Sequence, residues 1–282
     1  MASPSPHIVS ADWLENRLGD AAVVPVDASW YLPDMGRDAR DEYDAGHIPG
    51  AVFFDQDAIV NASSTLPHAL PSPEFFAERV GALGISDTDT IIVCDGPGFF
   101  SAPRVWWMFR TMGARDVRVL DGGIDNWKAQ NRPVTETATT RKPTHFNVNY
   151  KANAIATLND MKNHVSRQDI QIADARGPGR FTGDQPEPRP GMRSGHMPGA
   201  KNIPFMQLSE NGFFKNQTSL RDALQSAGVD PDKPTVTTCG SGVTAAVITL
   251  ALASLGNEDT KLYDGSWSEW GALENTPIET GN

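Results

Sequence analysis

One cysteine of the chain has neighbours that suit nucleophilic chemistry. Cys239 follows the β-branched run 235–238 and precedes Gly240, Ser241 and Gly242, so it stands where a strand ends and a helix begins. Two glycines within three residues let the backbone turn tightly and direct several N–H groups inward. Those N–H groups and the positive end of the following helix stabilise a thiolate over a thiol. We therefore expect Cys239 to be a nucleophile.

This cysteine lies in the second copy of a duplicated unit. The segment AGHIPGA at 45–51 returns as SGHMPGA at 194–200. An apolar run ending in aspartate precedes each copy, a β-branched run follows it, and an Asp-Gly pair with a nearby tryptophan comes last. Because four landmarks recur in the same order, the sequence predicts two homologous domains. We place them at residues 1–135 and 159–282, with residues 136–158 as a linker.

The second cysteine differs from the first in its surroundings. Cys94 precedes Asp95, and alignment of the two units brings Asp95, not Cys94, to the position of Cys239. We expect Cys94 to be a core residue and the first domain to be non-catalytic. Two cysteines without a CxxC pair and six scattered histidines argue against a disulfide framework and a zinc site. We expect no metal and no cofactor.

Short apolar strands alternate with helical patterns in both units. The runs 23–27, 90–94 and 117–120 have the length and the valine and isoleucine content of buried parallel strands. A helix is predicted after Ser101, and its counterpart in the second unit at about 243–255. This alternation predicts an α/β fold in which each domain has a central, mostly parallel sheet flanked by helices.

The charge of the chain limits its partners. There are 24 Lys and Arg against 35 Asp and Glu, a formal net charge of -11. Such a surface repels phosphate backbones and anionic membranes, so we expect neither nucleic acid nor membrane as a partner. We see no run long and apolar enough to span a bilayer and no secretory signal, and we expect a cytoplasmic protein.

The motifs are similar to those of a known family. The chain resembles the tandem rhodanese-type sulfurtransferases over nearly its whole length, in the segments CGSGVTA at 239–245, YDGSWSEW at 263–270, DASWYLP at 27–33, HIPGA at 47–51 and SAPRVWW at 101–107. The resemblance implies two rhodanese-like domains, the second of them catalytic. It also implies that the cysteine of the first motif accepts a sulfur atom and becomes a persulfide.

The resemblance also points to the sulfur donor. Thiosulfate-specific relatives carry basic residues directly after the cysteine, whereas Gly240 and Ser241 are neutral. A donor with less charge is therefore favoured, and the resemblance implies 3-mercaptopyruvate. In the family arrangement Arg180 and Arg189 would hold its carboxylate and carbonyl, groups that guanidinium forks bind well. The alternative for each arginine is a surface ion pair with a neighbouring acid.

The implied reaction is an attack of the Cys239 thiolate on the donor sulfur, with release of pyruvate. Main-chain N–H groups of the loop would hold the persulfide. The expected binding residues of this loop are therefore Gly240, Gly242, Val243 and Thr244. The expected acceptor is a thioredoxin-like or small thiol, or cyanide in a test tube. Ser241 is a candidate proton relay. Family proposals that join it to a histidine and an aspartate would map to His47 and Asp38, although the recurrence of His47 as His196 favours a structural role.

Three other functions remain open. A thiosulfate:cyanide sulfurtransferase would use the same scaffold, and comparing kcat/KM for the two donors separates it from the first hypothesis. A cysteine phosphatase needs an arginine closing the loop where Ala245 stands, and phosphate release from a chromogenic ester would reveal it. A non-catalytic binding protein has no need for a cysteine framed by glycines.

Overall fold

Each half of the chain forms its own five-stranded parallel sheet. We analysed a computed structural model, which describes residues 5–281. The strands of the first half are β1 (Ile8–Val9), β2 (Val23–Asp27), β3 (Val52–Phe53), β4 (Thr90–Cys94) and β5 (Asp116–Leu120). They lie in the order β1-β5-β4-β2-β3, and every neighbouring pair is parallel.

The second half repeats this order. Its sheet strands are β6 (Ile155–Ala156), β7 (Gln171–Asp174), β8 (Lys201–Asn202), β11 (Thr235–Thr238) and β12 (Thr260–Tyr263). They lie in the order β6-β12-β11-β7-β8, again parallel throughout. The remaining two strands form a short antiparallel hairpin, β9 (Ser209–Glu210) and β10 (Phe213–Phe214).

Helices connect the strands, as parallel pairing requires. The first half contains α1 (Ala11–Glu15), α2 (Ala39–Ala45), α3 (Pro73–Ala82), α4 (Ala102–Thr111) and α5 (Gly123–Ala129). The second half contains α6 (Leu158–Arg167), α7 (Pro178–Thr182), α8 (Gln217–Ser226), α9 (Ala245–Ser254) and α10 (Ser266–Trp270). Single 3₁₀ turns lie at Pro33–Met35, Ala152–Ala154 and Phe205–Leu208.

A continuous apolar core joins the two domains. All ten residues of α9 are buried, because this helix lies between its own sheet and α4 of the first domain. One core cluster therefore contains residues of both domains, and two smaller clusters cover the opposite faces of the two sheets. Residues on adjacent strand positions, such as Val93 and Cys94, fall in different clusters, so both faces of the sheet are buried.

The domains also exchange a pair of matched contacts. Asp121, after β5, accepts the main-chain N–H of Phe214 from the second domain at 2.8 Å. Asp264, after β12, accepts the main-chain N–H of Leu70 from the first domain at 2.8 Å. Each domain thus places one segment against the carboxyl end of the other domain's sheet. The loop after Asp95 or Cys239 lies at that same end of the sheet.

The α/β fold with two parallel sheets confirms the prediction from the sequence. Two predicted strands have the observed bounds, and the third begins one residue earlier, at Asp116. The helix predicted from about Val243 begins at Ala245, because residues 240–244 form a loop. The linker boundaries remain a prediction, and the second sheet begins at Ile155. Within residues 5–281 no helix has the length and apolarity needed to cross a membrane.

Candidate active site

A cavity of about 470 Å³ opens where the two domains meet. The first domain contributes Trp30, Phe100 and the turn that begins at Leu32. The second domain contributes the loop that follows β11 and the segment between β7 and β8. Crevices at the carboxyl ends of parallel strands are the usual ligand sites of α/β folds, and this cavity lies at such an edge.

Cys239 lies in the wall of this cavity, directly after β11, with 2% of its surface exposed. Its N–H donates to Ser266 Oγ at 3.2 Å, and Ser266 Oγ donates to the carbonyl of Tyr263 at 2.8 Å. The next carbonyl, that of Gly240, accepts the N–H of Ser268 at 2.9 Å and its Oγ at 2.7 Å. The start of α10 therefore fixes the backbone around the sulfur atom.

The loop after Cys239 has a structural counterpart after Asp95 in the first domain. Three residues beyond each lies a glycine with a left-handed φ, 80° for Gly98 and 81° for Gly242. The carbonyls of Asp95 and Cys239 accept N–H groups from the first turns of α5 and α10, at 2.8 Å and 2.9 Å. The two loops therefore follow the same course, with an aspartate in one and a cysteine in the other.

The loop of the first domain binds a carboxylate. The side chain of Asp95 accepts, at 2.6 to 2.9 Å, the N–H groups of Gly98, Phe100, Ser101 and Ala102. In the second domain three of the matching N–H groups donate to no protein acceptor among residues 5–281, namely those of Gly242, Thr244 and Ala245. The loop around Cys239 therefore has main-chain donors available for an anion.

A charged wall of the cavity is built around Glu187. Arg180 of α7 donates to this carboxylate through Nε at 3.2 Å and Nη2 at 2.5 Å, and Arg176 donates to it at 2.8 Å. Arg176 is buried against the ring of Trp267, at 4.2 Å. The Arg180 guanidinium lies over Gly240, where an added Cβ would be 2.9 Å from Nη2. Arg180 thus forms an ion pair with a neighbouring acid, which was the alternative to binding the donor. This ion pair holds its guanidinium in the cavity.

Arg189 lines the same cavity but makes no ion pair with any carboxylate of residues 5–281. Burial, together with the nearby positive charge of Arg180, lowers the pKa of Arg189. A half-buried cation beside a second cation is unfavourable, and a bound anion would relieve it. The two arginines therefore place positive charge in the wall of the cavity that contains Cys239.

Most of the residues named from the sequence meet in this cavity. Its lining includes Cys239, Gly240, Ser241, Val243, Thr244, Arg180 and Arg189. Gly242 is the exception, because its carbonyl turns away toward the guanidinium of Arg104, 3.3 Å from Nη1.

The structure engages His47 and Asp38, the residues onto which the relay was mapped, in contacts within the first domain. His47 Nδ1 bonds to the carbonyl of Tyr43 at 2.8 Å, and the two rings stack at 3.9 Å. His196 makes the same two kinds of contact in the second domain. Asp38 caps the start of α2 with its carboxylate. Each histidine thus fixes its Pro-Gly turn against a short helix of its own domain, α2 for His47 and α7 for His196.

A different histidine lies beside the cavity, and the sequence analysis missed it. His68 packs edge-on against Trp30, with ring centroids 4.7 Å apart. Its Nδ1 is 3.8 Å from a carboxylate oxygen of Asp57, which accepts the indole N–H of Trp30 at 3.1 Å. Burial and the guanidinium groups of Arg104 and Arg189 lower the pKa of His68 to about 4. The imidazole is therefore neutral near pH 7.

Cys94 is unrelated to this site. It is 1% exposed, lies between the sheet and its covering helices, and its Sγ donates to the carbonyl of Val26 at 3.4 Å. Burial and the carboxyl groups of Asp27 and Asp95 raise the pKa of the Cys94 thiol. Such a thiol is unreactive, as expected of a core residue.

The fold and the cysteine loop define a sulfurtransferase built from two rhodanese-like domains. The sequence model of the rhodanese-like domain matches residues 10–130 and 157–273, and the chain belongs to this family. The crystal structure of SseA from Escherichia coli, a protein described as a 3-mercaptopyruvate sulfotransferase of the rhodanese fold, superposes with a TM-score of 0.85. It is 40% identical and covers 93% of this chain and 99% of SseA.

Full-length relatives agree with this assignment. The 3-mercaptopyruvate sulfurtransferase of Homo sapiens is 43% identical over 96% of this chain and 94% of the human protein. The enzyme of the same name from Escherichia coli K12 is 43% identical over 96% of this chain and 97% of its own. The thiosulfate sulfurtransferase of Rattus norvegicus is 41% identical over 97% of this chain and 94% of the rat protein. Sequence identity alone therefore distinguishes poorly between 3-mercaptopyruvate and thiosulfate as the donor.

Proposed function

We propose that this enzyme transfers the sulfur atom of 3-mercaptopyruvate through a persulfide on Cys239 to a thiol or cyanide acceptor and releases pyruvate. The observation that carries the proposal is the joint placement of three groups in one cavity. Cys239 lies in its wall, and within residues 5–281 three main-chain donors of its loop have no protein acceptor and Arg189 makes no ion pair.

The first domain supplies an internal comparison for the persulfide. An aspartate carboxylate oxygen is two bonds from Cβ, and so is the outer sulfur of a cysteine persulfide. The Asp95 carboxylate, held by four N–H groups, thus stands in for an anionic outer sulfur at the matching position of the second domain. Charge-assisted hydrogen bonds of this kind are about twice as strong as neutral ones.

The distribution of charge favours a 2-oxo acid over thiosulfate. The loop positions directly after Cys239 are the neutral Gly240 and Ser241, so the positive charge of the cavity comes from arginines of the segment between β7 and β8, among them Arg180 and Arg189. 3-Mercaptopyruvate carries its carboxylate and ketone away from its sulfur. This spacing lets guanidinium groups hold one end of the donor while its sulfur meets the thiolate.

The first half-reaction conserves atoms and charge. The Cys239 thiolate attacks the donor sulfur, an S–S bond forms, and the C–S bond breaks with its electron pair going to carbon. The product is the enolate of pyruvate, which Arg180 and Arg189 stabilise before a proton reaches carbon. The donor thiol loses one proton in the same half-reaction, which accounts for the proton that the carbon gains. The persulfide therefore remains as an anion. In the second half-reaction an acceptor thiolate takes the outer sulfur and Cys239 returns as a thiolate.

We assign the proton transfer to Ser241 and His68. Ser241 lines the cavity, and His68 packs against Trp30, which also lines it. Near pH 7 the lowered pKa of His68 leaves a neutral imidazole, which has one nitrogen that accepts a hydrogen bond or proton and one that donates. The proposed acceptor is a thioredoxin-like protein or a small thiol, which would meet the persulfide in this cavity.

The choice of donor is tested by steady-state kinetics. We expect kcat/KM for 3-mercaptopyruvate to exceed that for thiosulfate, with cyanide as the common acceptor. A higher value for thiosulfate would make the chain a thiosulfate:cyanide sulfurtransferase on the same scaffold. Release of phosphate from a chromogenic ester is not expected, because Ala245 stands where a phosphatase loop needs an arginine.

A cytoplasmic location is part of the proposal. Both cysteines are free, and a thiolate nucleophile needs a reducing compartment to remain so. Cell fractionation tests this directly, and enrichment in an oxidising compartment would contradict it.

A further inference from the structure

Arg104 is a buried cation of the first domain that reaches the catalytic loop of the second. It is 1% exposed and lies in the first turn of α4. Its guanidinium donates to the carbonyl of Gly242 at 3.3 Å and to the carbonyl of His68 at 2.7 Å. It also forms an ion pair with Asp264 at 2.6 Å. One side chain thus connects four segments around the active cavity.

The contact with Gly242 acts on the part of the loop that carries the anion donors. An added Cβ at Gly242 would be 2.9 Å from the carbonyl oxygen of Asp264 and 3.1 Å from Arg104 Nη1, so the loop is tightly enclosed on this side. The carbonyl of Gly242 is turned toward the guanidinium. Backbone carbonyls and N–H groups of a tight turn face opposite ways, so a carbonyl held outward favours N–H groups that face the cysteine.

Asp264 extends the same arrangement to the other side of the cysteine. Its second carboxylate oxygen accepts the N–H of Leu70, which fixes the turn after β12 against the first domain. Two residues further along, Ser266 accepts the N–H of Cys239. The ion pair of Arg104 and Asp264 therefore holds both backbone segments that flank the sulfur atom.

The duplicated chain has this arginine in one copy only. The offset of Asp95 and Cys239 is 144 residues, and the residue that corresponds to Arg104 in the second domain is Ile248. The loop after Asp95 is already held by the Asp95 carboxylate, whereas the loop after Cys239 has no such internal anion. Arg104 therefore lies in the first domain, which packs against the loop after Cys239, and this is the loop that no internal carboxylate holds.

We propose that Arg104 is a positioning residue for sulfur transfer: from the non-catalytic domain it holds the Gly242 carbonyl and Asp264 so that the loop donors face Cys239. This inference rests on the proposed function only in taking Cys239 as the nucleophile. It assigns the first domain a direct part in organising the reactive loop.

The test is the pH dependence of Cys239 alkylation by iodoacetamide, with the modified residue identified by peptide mass spectrometry. We expect Arg104→Met to move the alkylation profile upward by about one pH unit, so that the rate at pH 7 falls about tenfold. Arg104→Lys keeps the charge but not the planar fork, and we expect an intermediate profile. Because the Met variant can fail to fold, Arg104→Lys and Asp264→Asn are measured in parallel.

Arg110→Met is the matched control. Arg110 lies on the same helix, forms an ion pair across the domain interface with Glu258 at 2.8 Å, and packs over Trp106 at 4.8 Å, but it does not contact the loop. We expect its alkylation profile to equal that of the unmodified chain. Folded Arg104 and Asp264 variants with that same profile would overturn the proposal. The assay uses no sulfur donor, so a chain inactive toward 3-mercaptopyruvate would refute the proposed function without affecting this result.

Discussion

Asp95 and Cys239 occupy the same position in the two domains, each at the end of a central parallel strand and at the start of the same loop. The loop binds a carboxylate in the first domain, and its counterpart in the second surrounds a sulfur atom. One copy of the unit has thus kept an anion site that its own side chain fills. The other leaves that site to a group which the reaction forms on its cysteine.

The filled loop should contribute to stability without taking part in the reaction. Asp95→Asn places an amide N–H₂ or a less basic oxygen against four N–H donors, and we expect a loss of about 3 kcal/mol in the free energy of unfolding. Urea unfolding followed by circular dichroism measures this. Cys94→Ser, on the neighbouring position, is the control for a general response to change at this strand end. An unchanged midpoint for Asp95→Asn would show that the carboxylate is not held as described.

Arg189, which makes no ion pair within the described part of the chain, should determine donor affinity. We expect Arg189→Met to raise KM for 3-mercaptopyruvate by about 10- to 100-fold, which corresponds to the loss of a half-buried charge contact of about 1.4 to 2.7 kcal/mol. Arg221→Met is the control, because Arg221 lies on α8, pairs with Asp232 and does not line the cavity. If KM is unchanged in Arg189→Met, the carboxylate of the donor binds elsewhere.

The two histidine assignments can be separated by parallel variants. We expect His68→Gln to lower kcat for pyruvate release by about 10- to 100-fold, which is the usual size of a general acid–base contribution. His47→Gln removes the stack on Tyr43 and should lower the thermal midpoint while leaving kcat of the folded enzyme nearly unchanged. The opposite pattern would restore the relay through His47.

A buried carboxyl group in the first domain should make stability depend on pH. Burial raises the pKa of Asp27 to about 6, from an ordinary value of 3.8. The folded state therefore binds this proton more tightly than the unfolded state, and the resulting stability is full below about pH 4 and is lost as the pH rises through about 6. Asp27→Asn removes the ionisation but retains an oxygen that can accept from Ser29.

Relative to the unmodified chain, we expect Asp27→Asn to gain about 3 kcal/mol in unfolding free energy between pH 4 and pH 7. Urea titrations of both proteins at several pH values give the difference, in which the contributions of all other groups cancel. A difference that is the same at every pH would contradict the raised pKa.

Most of the fold could be predicted from the sequence, because the chain contains two copies of one pattern. Two copies of one strand pattern and one histidine motif predicted two parallel sheets, and the glycines on both sides of Ser241 indicated a tight loop after Cys239. These features are local, because a strand, a turn and a helix start each depend on a few adjacent residues. The observed strand bounds and the loop before α9 follow from them.

Contacts between the domains could not be predicted in the same way. His68 lies in an irregular segment between β3 and α3, has a left-handed φ of 55°, and belongs to no repeated motif. Arg104 stood inside a quoted motif, yet its ion pair with Asp264 spans 160 positions and requires the packing of α4 on α9. The recurrence of His47 was visible in the sequence, and its buried stack on Tyr43 explains why the turn keeps it.

The mechanism depends on the formation of a persulfide on Cys239. Mass spectrometry tests this step if the protein is analysed after reaction with 3-mercaptopyruvate in the absence of an acceptor. We expect one added sulfur atom on the peptide that contains Cys239, one equivalent of pyruvate, and neither product in Cys239→Ser. Added sulfur on Cys94, or pyruvate release by Cys239→Ser at an undiminished rate, would contradict it.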